Sequence, residues 1–239
     1  MEIDQNNISA RILSTAPLDE SVIELAAEQG VRIDSIPFIS VEPIRTAEVA
    51  EEIEAALQLR TTVIFTSVNA VEAVAEIMQD QQPEWQIYCI GQKTKDLVEK
   101  YFGQDAIIGT ADYGVQLADR IIEDELAEEV VFFCGSMRRP ELPDMLFAAG
   151  ILVTEVMVYE TIPVTHQLKE NYAAVLFYSP SAVNSFFEKN KLPEHALAFA
   201  IGDTTATAIR KYCQNKIILA DQPRKEALAE KAIEIFGRK

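Results

Sequence analysis

Positive charge is scarce in this sequence. Lys and Arg number 21 against 38 Asp and Glu, a formal net charge of −17. Nucleic acids and anionic membrane surfaces are bound through clustered cations, so neither partner is expected. A small anionic ligand stays open, because it feels a local site rather than the total charge. Only two histidines occur, His166 and His195, both in polar surroundings, which argues against a His-based metal site. The three cysteines, Cys89, Cys134 and Cys213, are odd in number and widely spaced. Each lies in or beside an apolar segment, so they read as reduced core thiols of a cytoplasmic protein. No Cys-x-x-Cys, His-Glu-x-x-His, P-loop or Gly-x-Gly-x-x-Gly pattern is present, which argues against a nucleotide-binding Rossmann sheet. Long apolar runs are missing as well: none approaches the ~20 residues of a membrane span. The opening stretch, residues 1–7, is acidic and polar and lacks the apolar core of a signal peptide.

What is present is a repeat. Thr61-Thr-Val-Ile-Phe-Thr66 is a short β-branched apolar run that breaks at Ser67-Val-Asn69 and turns helical, with Val71, Val74 and Met78 at helical spacing. Ala174-Val-Leu-Phe-Tyr-Ser179-Pro-Ser-Ala-Val183 repeats it, with Phe177 and Ser179 placed as Phe65 and Ser67 are, 112 residues on. A second pair follows in step, Ile90-Gly91-Gln-Lys-Thr94 and Ile201-Gly202-Asp-Thr-Thr205, 111 residues apart. Two matches in one order at nearly one spacing indicate internal duplication. The 239 residues, 49% apolar, suffice for two domains with cores.

Strand and helix alternate along the chain. Residues 11–14 read as a strand, with a helix from Pro17 to Gly30. Residues 31–41 alternate like a single strand, with Pro37 marking an edge or bend. An acidic helix covers 47–59, the repeated strand 61–66 and its helix follow, and strands at 86–90 and 106–109 bracket a helix from Thr94 to Tyr101. A helix at 115–126 precedes strand 130–134, a turn 135–140 and a helix 141–149. A strand from Ile151 to Tyr159 runs on through Pro163. The repeated unit returns at 173–189, followed by strand 198–201, helix 204–213, strand 217–220 and a helix at 224–236. This is an α/β chain with mostly parallel sheets.

Ligands of such sheets sit outside the carboxyl ends of the strands. Those ends are Ser14-Thr15, Ser67 to Asn69, Gly91 to Thr94, Gly135 to Arg139, Ser179 to Ser181 and Gly202 to Thr205. They are small, hydroxyl-bearing and glycine-containing, so backbone N–H groups at the helix starts can meet carboxylates or phosphates. Each of these residues can also be an ordinary helix cap.

The ordered set Phe65-Thr-Ser-Val-Asn-Ala-Val71, Ile90-Gly-Gln-Lys-Thr94, Val158-Tyr-Glu-Thr161, Phe177-Tyr-Ser-Pro-Ser-Ala-Val183 and Ile201-Gly-Asp-Thr-Thr-Ala206 resembles uroporphyrinogen-III synthases, from about residue 11 to about 235. The resemblance implies two similar α/β domains, each a parallel sheet flanked by helices, joined by a two-stranded linker. Residues 1–37 with 165–239 would form one domain, 43–158 the other, and 38–42 and 159–164 the linker. Periodicity alone fits tandem halves, 1–127 and 128–239, equally well.

The resemblance also implies a reaction. The family closes the linear tetrapyrrole hydroxymethylbilane into a ring with inversion of the last pyrrole and loss of water, in a cleft between two domains, without metal or organic cofactor. Tyr159 matches the family's linker tyrosine and would donate a proton to the departing hydroxyl. Thr15, Ser67, Asn69, Gly91, Thr94, Ser179, Ser181, Gly202, Thr204 and Thr205 would bind substrate, with Lys93, Arg138 and Arg139 as cations for its carboxylates. Two departures remove positive charge: Ala16 and Cys134 stand where many relatives carry arginine. A cytoplasmic tetrapyrrole- or anion-binding sensor that has lost turnover is the rival reading. A monomer is expected, since no helix shows a surplus apolar face.

Overall fold

The computed structural model describes residues 9–238, so the polar stretch 1–7 lies outside it. The chain forms two compact units. One takes the described residues up to Ser40 and those from Ile162 onward; the other is Val41–Thr161.

The second unit holds β3 (Ile39–Pro43), β4 (Thr62–Phe65), β5 (Gln86–Ile90), β6 (Ile107–Ala111), β7 (Glu129–Gly135) and β8 (Leu152–Pro163), with β3 and β8 running across its boundary. Its spatial order is β3-β8-β7-β4-β5-β6. The five strands from β4 to β8 pair in parallel. Alternate residues feed two cores. Val63, Phe65, Ile87, Cys89, Val131 and Phe133 face α2 (Ala47–Leu57), α3 (Val68–Met78) and α4 (Gln92–Phe102). Ile64, Tyr88, Val130, Phe132 and Cys134 face α5 (Gly114–Asp124) and α6 (Glu141–Ala148). Both faces are covered, which is why these strands read as continuous apolar runs. Phe65 stacks on Phe133 at 5.5 Å, and Trp85 packs on both Phe133 and Phe102 while its indole N–H donates to the Ala56 carbonyl at 3.0 Å.

The first unit is a five-stranded parallel sheet in the order β11-β10-β9-β1-β2. Its strands are β1 (Ala10–Ser14), β2 (Val31–Ser35), β9 (Ala174–Phe177), β10 (Leu197–Ala200) and β11 (Ile217–Leu219). One face, with Leu13, Val175, Phe177 and Ala198, packs on α7 (Pro180–Lys189) and α8 (Asp203–Arg210). The other, with Ile12, Ala174, Leu176 and Phe199, packs on α1 (Glu20–Glu28) and α9 (Lys225–Phe236).

The two sheets share one strand order. The series β2-β1-β9-β10-β11 matches β8-β7-β4-β5-β6 position for position, with the repeated strands β9 and β4 at the centre of each. Yet neither unit is a tandem half. The half ending near residue 127 supplies β1 and β2 to one sheet and β4, β5 and β6 to the other; the following half supplies β7 and β8, then β9, β10 and β11. Each unit is therefore a composite of both repeats. The run at 31–41, read as one strand, is two: β2 ends at Ser35, Pro37 lies in the gap, and β3 pairs in the other sheet. Proline has no N–H for a ladder, so the chain leaves one sheet there. The Ile44 N–H bonds the Val158 carbonyl and the Val164 N–H bonds the Phe38 carbonyl, so β3 runs antiparallel to β8.

Candidate functional site

In both sheets the order of connections reverses beside the central strand: between β1 and β9 in one, between β7 and β4 in the other. Ligands of open α/β sheets bind outside the carboxyl ends at such points. The turns singled out in the sequence lie there or one strand away.

In the second unit, β4 gives way to Ser67, the N-cap of α3, whose hydroxyl accepts from the Asn69 N–H at 3.2 Å. Gly91 caps α4 at φ +73°, a conformation that favours glycine. That turn starts the helix at Gln92, two residues before the expected Thr94. Lys93 is exposed, with no ion-pair partner among the described residues. Thr94, the third residue of α4, is buried. A cavity of ≈ 570 Å³ opens beside Gly91, lined also by Lys95, Arg120, Asp112, Asp119 and Glu123. Its two cations are already held, Lys95 by Glu99 and Arg120 by Asp124, and its other charges are acidic, so it suits an anion poorly.

Beyond β7, Arg138 is tied to Glu155 through both guanidinium nitrogens that reach it. Arg139 is exposed and has no ion-pair partner among the described residues. Of the two cations named in this turn, only Arg139 is available to a ligand. Tyr159 is half-buried, its ring packed on the core that holds Phe65 and Phe133. No hydrogen bond within the described residues occupies its hydroxyl. Glu155 was not legible as a site residue, and Gly135 and Ser136 were read only as part of the turn 135–139, because what faces each of them across the β7–β8 pair is set by pairing.

In the first unit, Ser179 caps α7 and accepts from the Ala182 N–H at 3.1 Å, with Pro180 in the first turn and Ser181 half-buried behind it. Gly202 precedes α8 in an extended conformation, and a side chain there would meet nothing within 4 Å. Thr204 is exposed, and Thr205 is buried at the third helical position, as Thr94 is in α4. Thr15 differs from the rest. It is fully buried, and its hydroxyl donates to the Leu176 carbonyl at 2.7 Å, so in this structure its polar group is spent on joining β1 to β9.

The hydroxyls and turns thus recur in pairs: Ser67 with Ser179, Gly91 with Gly202, Thr94 with Thr205. At α3 and α7 a serine hydroxyl already takes one first-turn N–H, whereas α4 and α8 start at a glycine with no side-chain cap, which leaves first-turn N–H groups of the kind that can meet an anion. Burial pushes Cys89 and Cys134 up to about 11, and no cysteine is in a disulfide. Among the described residues no group of three or more His, Cys, Asp or Glu is placed to hold a metal ion, and no helix is long and apolar enough to cross a membrane.

These features define a duplicated, parallel α/β protein with hydroxyl- and glycine-containing turns at the sheets' carboxyl ends. The sequence profile of uroporphyrinogen-III synthase HemD matches residues 20–230. The chain belongs to the uroporphyrinogen-III synthase family, as its motifs suggested. It is 23% identical to the uroporphyrinogen-III synthase of Chlorobaculum parvum over 222 residues, covering 84% of this chain and 88% of that protein. It is 26% identical over 219 residues to that of Saccharomyces cerevisiae, covering 74% and 76%. Its fold is similar to that of uroporphyrinogen-III synthetase from Helicobacter pylori, with a TM-score of 0.65 at 18% identity over 95% of this chain and 99% of that one. A mutant uroporphyrinogen III synthase from Thermus thermophilus gives 0.64 at 17% identity over 95% and 98%.

Proposed function

We propose that this protein converts hydroxymethylbilane to uroporphyrinogen III, inverting the last pyrrole ring and releasing water, with no metal or organic cofactor. The family match across residues 20–230 carries the reading. The paired turns support it: the substrate is a polycarboxylate, and the starts of α3, α4, α7 and α8, with Arg139 and Lys93, offer anion-binding groups without a strongly basic surface.

Tyr159 is the proton donor. Its phenolic proton passes to the hydroxymethyl oxygen, and the C–O bond breaks with its electron pair leaving as water. The remaining cation is stabilised by the electron-rich pyrrole. The substituted carbon of the last ring attacks it, giving a spiro intermediate that fragments and recombines with the ring inverted. The proton lost as the pyrrole regains aromaticity returns to the phenolate, so the cycle closes. Most of the catalysis is positional, since the unaided chain closes without inversion.

The protein acts as a cytoplasmic monomer without nucleic-acid or membrane partners, in keeping with its acidity. Hydroxymethylbilane generated in place by its own synthase should disappear faster on adding this protein than it does spontaneously. An unchanged rate with folded protein contradicts the proposal.

A further inference from the structure

Tyr159 stands where regular strand geometry would not put it. Side chains alternate faces along a strand, so neighbours in β8 should point to opposite sides. Val156 and Val158 face the core that contains Phe65, and Met157 faces away, half exposed. Tyr159 should then follow Met157. Instead its ring packs on the same core as Val158. The ladder explains this. Cys134 pairs with Met157, but the next residue, Gly135, pairs with Tyr159, which leaves Val158 as an extra residue. A bulge of this kind re-aims the side chain that follows it.

The re-aimed ring needs room, and Gly135 supplies it. A Cβ on Gly135 would fall within the van der Waals radii of Tyr159 Cζ and Cε2 and 2.7 Å from the hydroxyl oxygen. The backbone at Gly135 makes no such demand: it is not among the glycines with positive φ. The glycine is therefore required by the ring, not by the turn. Ser136 fixes the strand around the same point. Its N–H donates to the Tyr159 carbonyl at 3.0 Å, and its hydroxyl accepts from the Thr161 N–H at 3.0 Å.

We infer that Gly135 is a positioning residue, whose missing side chain seats the Tyr159 ring over the end of β7 so that its hydroxyl is held in one place. This rests on the proton-donor reading of Tyr159, and the variants below separate the two.

Turnover and KM are to be measured for Gly135→Ala, Tyr159→Phe and the double variant. Gly135→Ala should lower kcat by about tenfold or more, as loss of a general acid does, with KM little changed. The double variant should be no slower than Tyr159→Phe alone, because the hydroxyl that Gly135 positions is already gone. Wild-type kcat in Gly135→Ala beside a slow Tyr159→Phe overturns the positioning role, as does a double variant much slower than either. Wild-type turnover in Tyr159→Phe removes the donor reading itself. If Gly135→Ala does not fold, Gly135→Ala/Tyr159→Ala decides: a restored cooperative melt assigns the fault to the ring and supports the inference, and continued misfolding overturns it.

Discussion

Arg138 and Glu155 face one another across the end of the β7–β8 pair, with Arg138 Nη2 2.8 Å from Glu155 Oε1 and Nε against Oε2. Arg139, next in the chain, has no such partner among the described residues. A guanidinium already paired with a carboxylate offers little to a second one. Arg139→Ala should therefore raise KM for hydroxymethylbilane by about tenfold, the scale of one charge-assisted hydrogen bond, while Arg138→Ala changes it less. Equal effects in steady-state kinetics would show that Glu155 releases Arg138 to the substrate.

Thr94 and Thr205 share a helical position, a buried setting and a preceding glycine cap. Thr94→Ala and Thr205→Ala should each weaken substrate binding several-fold, roughly one neutral hydrogen bond each. Unaltered affinity in both, by inhibition with a non-cyclising bilane analogue, would return the two hydroxyls to helix packing alone.

Asp34 anchors the sheet edge in the first unit. Burial alone would raise its pKa. Hydrogen bonds from Arg11 at 2.5 Å, Arg32 at 3.0 Å and Tyr172 at 3.1 Å outweigh that and hold it below the usual carboxylate range. The same carboxylate, with burial as the larger cause, pushes Tyr172 up to about 12. A carboxyl whose folded pKa is depressed stabilises the fold above its unfolded pKa of about 3.9, and that contribution is lost as pH falls through the lower folded value. Asp34→Asn should cost about 1–3 kcal/mol at neutral pH, and less of the difference should survive at pH ~3. Urea denaturation at the two pH values measures it; a pH-independent difference would contradict the linkage.

Gly109 in β6 gives way to a neighbour much as Gly135 does. A Cβ there would come 2.5 Å from Tyr88 Cδ1, and Tyr88 is fully buried with its hydroxyl donating to Asp124 at 2.8 Å. Gly109→Ala should destabilise the second unit by about 1–3 kcal/mol, the cost of overpacking. A thermal midpoint equal to the wild type would show that Tyr88 can move aside.

The α/β class and the repeated turns were legible because they rest on local signals: apolar runs of strand length, hydroxyl N-caps at Ser67 and Ser179, and glycines before α4 and α8. The composite make-up of the two units was not legible from periodicity; only the family resemblance implied it. Periodicity finds strands but not their neighbours, and both tandem halves and nested units satisfy the same offsets. Pro37 was visible as a bend, yet only pairing shows that β2 and β3 belong to different sheets. Site residues followed the same divide. Thr15 looked like Ser67 as a hydroxyl after a strand, but its bond to Leu176 depends on a strand about 160 residues away in sequence, the partner separation being 161. Gly135 read as a turn residue, and its relation to Tyr159 exists only across the bulged pair.

The most direct test is the identity of the product. Hydroxymethylbilane made in place by its synthase should be incubated with this protein, the products oxidised, and the porphyrin isomers separated by chromatography. A shift from the spontaneous type I isomer to type III is the predicted result. Type I alone, from protein shown to be folded by circular dichroism, would contradict the assigned reaction and leave a family member that has kept the fold without the chemistry.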